Sequence, residues 1–294
     1  MHFGHIFPQG HIGMDPGAVK AYVQGVEDLG FKYIAIADHV LAADPATWEA
    51  SGRGRPHEDE LYREPVVVLS FIAAWTRRLG LVTSVLLLPQ RPTALVAKQC
   101  AELDLLSEGR LRLGVGVGRI AAEYEALGQD FANRGRRVEE QIALLRRLWT
   151  EEMVDFDGKW HSGRAGIRPL PVQRPIPIWM GGGVGMGGIV DPVLRRVARI
   201  ADGWCPLPAA PEAEDETWSR LKTYLVEAGR DPATFPYEVR TTSHKGSADE
   251  WVKARDKQQG RGVTHYTVDN RGATFRGVDA HLESLGHWMQ AMKR

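Results

Sequence analysis

Residues 79–119 read LGLVTSVLLLPQRPTALVAKQCAELDLLSEGRLRLGVGVGR. Two runs within them, 81–88 and 110–118, are mostly apolar or glycine-bearing over the length of a strand. A continuous rather than alternating apolar run marks a strand covered on both faces, as in a parallel sheet. Between them, residues 93–107 predict a helix with Leu95, Gln99, Leu103 and Leu106 down one side, and Gly109 is placed to stop it. The three pieces form a strand–helix–strand unit whose strand ends face a common site.

The same rhythm continues outward. Residues 3–8 and 32–37 predict strands, separated by a helix that Asp15-Pro16 opens, with a capping residue and then proline at the first helical position, and that Gly30 closes. A polar loop over 41–63, centred on SGRGRP at 51–56, leads to a helix at 65–78; loops this long are usually functional or mobile. Beyond the central unit come helices at 121–127 and 136–149, the second with Val138, Ile142, Leu145 and Trp149 as its buried stripe. Residues 153–160 predict a small extra hairpin strand, 167–177 a proline-rich crossing, and 176–180 the fifth core strand. Strands at 203–207, 237–243 and 263–268 alternate with helices at 191–201, 212–228, 248–259 and 278–292. Eight strands, nearly all followed by helices, predict an α/β fold: a (β/α)8 TIM barrel with loop insertions, one domain over 1–294, with its site at the C-terminal strand ends.

With 37 Lys+Arg against 37 Asp+Glu the chain is formally neutral, which argues against nucleic acid or an anionic membrane as the main partner. Two separate cysteines, Cys100 and Cys205, make neither a disulfide framework nor a CxxC site. No apolar stretch reaches membrane-spanning length and the first ten residues carry no signal-peptide pattern, so a cytoplasmic location is expected. The histidines form no HExxH or other close ligand pair, so no metal is expected.

Three stretches carry chemistry. Asp38-His39 ends the second strand, where a histidine beside a carboxylate is held in one tautomer for proton transfer; the alternative is a cap and a rim packing residue. Gly116-Val117-Gly118-Arg119-Ile120-Ala121 matches the dinucleotide pattern G-x-G-x-x-[GA], yet three comparable units precede it, and glycine for close packing explains it equally well. Residues 181–188, GGGVGMGG, place backbone without side chains at a strand end before a helix, a place to point N–H groups at a phosphate. Trp48, Trp160, Trp179 and Trp204 either line an apolar pocket or belong to the core.

Together these pieces resemble the bacterial luciferase-like flavin and deazaflavin oxidoreductases. The matching stretches are Leu29-Gly30-Phe31 with Ala37-Asp38-His39, the run AAWTRRLGL at 73–81, Thr83-Ser84-Val85, Ala97-Lys98, LDLLSEGR at 103–110 leading into the glycine strand, and Ala201-Asp202-Gly203-Trp204. The likeness runs from Met1 to about Leu207; beyond it only the order of elements agrees. It implies a TIM barrel that binds coenzyme F420, a deazaflavin, or alternatively FMN. It implies His39 near the reacting ring with Asp38 beside it, and a cis peptide at Ser84–Val85 behind the ring. Cofactor contacts are implied at Gly116, Gly118 and Arg119 and, for the phosphate, at Gly181, Gly182, Gly183, Val184 and Gly185. Some relatives place an acidic proton donor directly after the fourth-strand glycines; Arg119 stands there, with Glu123 four residues further on. Thr83-Ser84-Val85 favours the deazaflavin, and Arg53, Arg55 and Arg119 suit its anionic tail. The expected activity is hydride transfer between the deazaflavin and a small organic substrate. The alternatives are an FMN-dependent, oxygen-using monooxygenase fed by a separate flavin reductase, and a non-catalytic flavin-binding protein, against which Asp38-His39 speaks. A homodimer is left open.

Overall fold

The computed structural model describes residues 1–41, 61–182, 184–185, 188–206 and 211–294. Its first half alternates as the sequence predicts: β1 (His2–Ile6), α1 (Pro16–Asp28), β2 (Tyr33–Ile36), α2 (Pro65–Trp75), β3 (Gly80–Thr83), β4 (Leu86–Leu87), α3 (Thr93–Leu106) and β5 (Leu111–Gly116). Helices α4 (Ala121–Ala126) and α5 (Arg134–Thr150) follow, then an antiparallel hairpin of β6 (Val154–Asp157) and β7 (Ser162–Ala165), and β8 (Ile178–Met180). The second half runs through β9 (Val184–Gly185), β10 (Gly188–Ile189), α6 (Asp191–Ile200), β11 (Gly203–Trp204), α7 (Pro211–Glu227), β12 (Glu238–Thr241), α8 (Ala248–Gly260), β13 (His265–Val268) and α9 (Val278–Met292).

The barrel strands are parallel, in the order β11-β8-β5-β3-β2-β1-β13-β12, with β4 also on β5. A parallel bridge between Trp204 and Tyr237 joins the two ends of that order, reinforced by the Trp204 N–H donating to the Pro236 carbonyl at 3.0 Å. The fold is the expected (β/α)8 barrel. Helix starts carry the caps written in the sequence: Asp15 accepts from the Ala18 N–H at 3.0 Å, and Glu64 from the Val67 N–H at 2.7 Å, each ahead of a proline. The main core lies between strands and helices, where Ile34, Ile36, Leu81, Leu113 and Ile178 are fully buried. Each such side chain contributes about 1.5–3 kcal/mol by leaving water.

Three expectations change. The inner face of α3 is Val96, Ala97, Cys100, Leu103 and Asp104, whereas Leu95 and Leu106 are 52% and 61% exposed. Asp104 is inside because it accepts from the Gln173 backbone N–H at 2.8 Å and its side-chain amide at 2.7 Å, and a buried carboxylate with such partners no longer marks an outer face. The third strand is not continuous over 81–88: it divides around Ser84–Val85, whose peptide bond is cis, and resumes as β4. Gly114 is what lets β3 and β5 close in at that point, since a Cβ there would lie 2.0 Å from the Thr83 carbonyl oxygen. Finally, Trp179 and Trp204 belong to the packed interior and Trp160 to the β6–β7 connection; Trp48 lies outside the described residues. Among the described residues no helix is long and apolar enough to cross a membrane.

Candidate active site

Side chains at the C-terminal ends of β2, β3, β5, β12 and β13 converge on the barrel mouth. Asp38 and His39 follow β2 directly, yet they turn to different partners. Asp38 is buried; its Oδ2 accepts the Leu87 N–H at 3.0 Å and Arg91 Nε at 3.3 Å, and its Oδ1 accepts Arg91 Nη2 at 2.8 Å. Arg91 also reaches Glu64 at the start of α2, at 2.9 Å. This clamp ties β2, β4 and α2 together. Breaking such a buried pair from one side costs about 3–5 kcal/mol.

The carboxylate that holds His39 is Glu123, not Asp38. His39 Nδ1 lies 3.0 and 3.1 Å from the two oxygens of Glu123, whose side chain is only 1% exposed. Four residues of separation from Arg119 do not keep Glu123 away. Gly118 takes a left-handed φ of +62° and turns the chain, α4 starts at once, and the Tyr124 hydroxyl pins it by donating to the Val117 carbonyl. Gln90 adds a hydrogen bond to Glu123 at 3.3 Å. The single 3-10 turn that carries Gln90 is braced in turn by Gln141, which donates to the Leu88 and Arg91 carbonyls at 3.2 Å.

Val85 lies at the centre of the mouth. A Cβ at Gly116 would sit 2.5 Å from its Cγ2, and one at Gly181 3.0 Å from its Cγ1. Both glycines therefore make room for Val85; for Gly116 that is the packing alternative that the dinucleotide pattern left open. Gly181 donates its N–H to the Val115 carbonyl at 2.9 Å. Gly182 has φ +93° and accepts Trp204 Nε1 at 2.8 Å. The glycine run does not lead straight into a helix: Val184–Gly185 and Gly188–Ile189 pair as a short antiparallel hairpin before α6. Gly183, Arg53 and Arg55 lie outside the described residues, and Arg119 is half-buried at the rim.

A cavity of about 270 Å³ opens among segments that follow β1, β2 and β13. Gln9, His11, Tyr62, Arg271 and Arg276 are in its wall. The Tyr62 ring stands edge-on to His39 at 4.5 Å, which links the cavity to the His39–Glu123 pair. Burial pushes the Asp269 carboxyl up, but the hydrogen bonds and charge of Arg271, with Arg240 behind them, outweigh it and hold the group at about 2. The two thiols take no part: burial pushes both Cys100 and Cys205 up to about 12.

The family model described as luciferase-like monooxygenase matches residues 1–289. The chain belongs to that family. The match extends well past Leu207, where the motifs fade. An uncharacterized protein of Mycobacterium tuberculosis is 37% identical over 217 residues, 74% of this chain and 70% of its own. An F420-dependent glucose-6-phosphate dehydrogenase of Kineococcus radiotolerans is 31% identical over 244 residues, 80% of this chain and 65% of its own. Among solved structures, the monooxygenase RslO1 of Streptomyces bottropensis superposes with a TM-score of 0.76 at 21% identity, covering 99% of this chain and 97% of that one. This last likeness establishes the luciferase-like barrel, and the barrel alone.

Gln90 and Tyr62 are the site residues that sequence reading passes over; Glu123 is named there only as lying four residues beyond Arg119, and the structure shows that it reaches His39. Glu123 carried one usable signal, a carboxylate in the first turn of a helix directly behind a strand-end glycine.

Proposed function

We propose that this luciferase-like protein is an F420-dependent oxidoreductase that moves a hydride between the bound deazaflavin and a small organic substrate. The observation that carries the reading is the His39–Glu123 pair at the barrel mouth, 3.0 Å apart, with the 270 Å³ cavity beside it. The dehydrogenase relative named for F420 supports the cofactor class. The residues present fit a planar ring with polar edges. Val85 offers an apolar bed, and Gln90 Oε1 is a buried acceptor with no hydrogen-bond partner among the described residues. Gly182 takes a left-handed φ of +93°, a backbone that a side chain would strain.

When bound, the ring supplies the two-electron centre, accepting or giving a hydride. Proton handling falls to the chain. Carboxylate oxygens on Nδ1 fix a proton there, so Nε2 is the nitrogen that exchanges one. An alcohol carbon that loses hydride gives its hydroxyl proton to His39 Nε2; a carbonyl that gains hydride takes the proton back. Glu123 stabilises the imidazolium formed in the first direction, an interaction stronger in the transition state than before it. Asp38 acts differently, holding the Leu87 N–H at the end of β4, just before the turn that carries Gln90. The mouth cavity takes the substrate, with Tyr62 in its wall against the His39 ring.

Anaerobic mixing of the F420-loaded protein with a panel of alcohols and aldehydes tests this. Loss or return of the deazaflavin's visible absorbance without oxygen is expected. Turnover that requires FMN, oxygen and an added flavin reductase would replace the reading with a monooxygenase.

A further inference from the structure

The lumen of a (β/α)8 barrel is ordinarily filled with layers of apolar side chains. Here Ile6, Tyr33, Ala35 and Val82 form only a small apolar cluster inside it, and charged groups share the space. Arg112 stacks on Tyr33 and Trp179 and donates to Glu238 at 3.3 Å. Arg240, its side chain 3% exposed, reaches across from β12 and donates to Ser84 Oγ at 2.7 Å. Its other neighbours are Glu238 Oε1 at 3.7 Å and Asp269 Oδ2 at 3.8 Å. Asp269 in turn accepts Arg271 at 2.7 and 3.0 Å, in the cavity wall. Among the described residues the column holds three guanidinium groups and two carboxylates, a formal excess of one positive charge there. His265, beside Arg112, adds none: burial and that cation hold its pKa at about 2, so it is neutral.

Position gives this charge a purpose. Arg240 is the third of the four residues of β12, Ser84 directly follows β3, and Asp269 directly follows β13. All three stand at the level where strands end and the mouth begins. We infer that Arg240 is an electrostatic positioning residue beneath the mouth, which raises the affinity of the bound ring for a hydride. The inference rests on the proposed reading of the mouth as a deazaflavin or flavin site. Taking up a hydride adds one negative charge to the ring while the donor carbon loses the electron pair. A buried cation below therefore favours the reduced form, and more strongly in a low dielectric than in water. Ser84 fixes the guanidinium, and Asp269 moderates its charge from the other side.

The test is the midpoint potential of the bound cofactor, measured spectroscopically against a reference dye with F420 and with FMN. Arg240→Gln keeps a hydrogen-bond donor and loses the charge; it should shift the oxidised-to-reduced equilibrium about tenfold toward oxidised, which is about 30 mV lower for a two-electron couple. Arg240→Lys should restore the wild-type value. Asp269→Asn removes the moderating charge and should move the potential upward, and it carries the test alone if Arg240→Gln does not fold. Bound cofactor with an unmoved potential in either charge variant overturns the inference and leaves the proposed function standing, as do shifts of the same sign in Arg240→Gln and Asp269→Asn. Wild-type protein that binds neither cofactor overturns both.

Discussion

The two walls of the barrel mouth are built from different kinds of charge. On the β2–β5 side, His39 meets Glu123 at 3.0 Å, an imidazole against a carboxylate. On the β12–β13 side, Arg240, Asp269 and Arg271 keep their charges throughout, with Asp269 held at about 2. On the proposed reading, one wall exchanges a proton with the substrate and the other supplies a fixed field. The same contrast recurs between neighbours in the sequence. Asp38 is committed to Arg91 and a backbone N–H, while His39, one residue on, meets Glu123 and the Tyr62 ring. Adjacency in sequence is a poor guide to pairing at a strand end, because successive residues leave a strand on opposite faces.

Removing the exchanging group should have the largest effect. With a substrate found in the anaerobic screen, His39→Ala should lower kcat about 10²–10⁴-fold while cofactor affinity changes far less. His39→Asn, which keeps a donor but does not titrate near neutrality, should also lose the wild-type pH profile. Near-normal kcat with the same profile would assign His39 to positioning only and dissolve the contrast between the walls.

Arg91→Met tests the other neighbour. It leaves Asp38 buried and unpaired, so the folded state should lose about 3–5 kcal/mol, read as a lower denaturant midpoint at unchanged slope. A loss below about 1 kcal/mol would mean that Asp38 is free for a role at His39.

The fixed wall has its own pH signature. The folded pKa of Asp269, about 2, lies below the unfolded value of about 3.9, so its stabilisation is complete above pH 4 and lost as pH falls toward 2. The size is about 2–3 kcal/mol. Asp269→Asn should flatten that part of the stability curve. An unchanged acid limb would show that another group carries it.

The barrel was legible because buried parallel strands cannot avoid continuous apolar runs and helix ends cannot avoid caps: the predicted helix 278–292 coincides with α9. The stripe on α3 misled because Asp104, a charged residue, faces in, and burial of a carboxylate depends on Gln173, some seventy positions away. For the site, His39 and the cis Ser84–Val85 bond were accessible through family likeness. Glu123 was named only as lying four residues past Arg119, and its reach to His39 was not legible, since it depends on the sign of one φ angle at Gly118. Arg240 sits in a strand that reads as ordinary polar edge. Only closure of the barrel brings it across to Ser84, 156 positions earlier.

The measurement closest to the central claim needs no substrate. The purified protein is titrated side by side with F420 and with FMN, following fluorescence or heat. F420 should bind at about micromolar Kd or tighter, roughly −8 kcal/mol, with FMN weaker. FMN binding as tight or tighter would contradict the deazaflavin assignment, and binding of neither would remove the cofactor from the barrel mouth altogether.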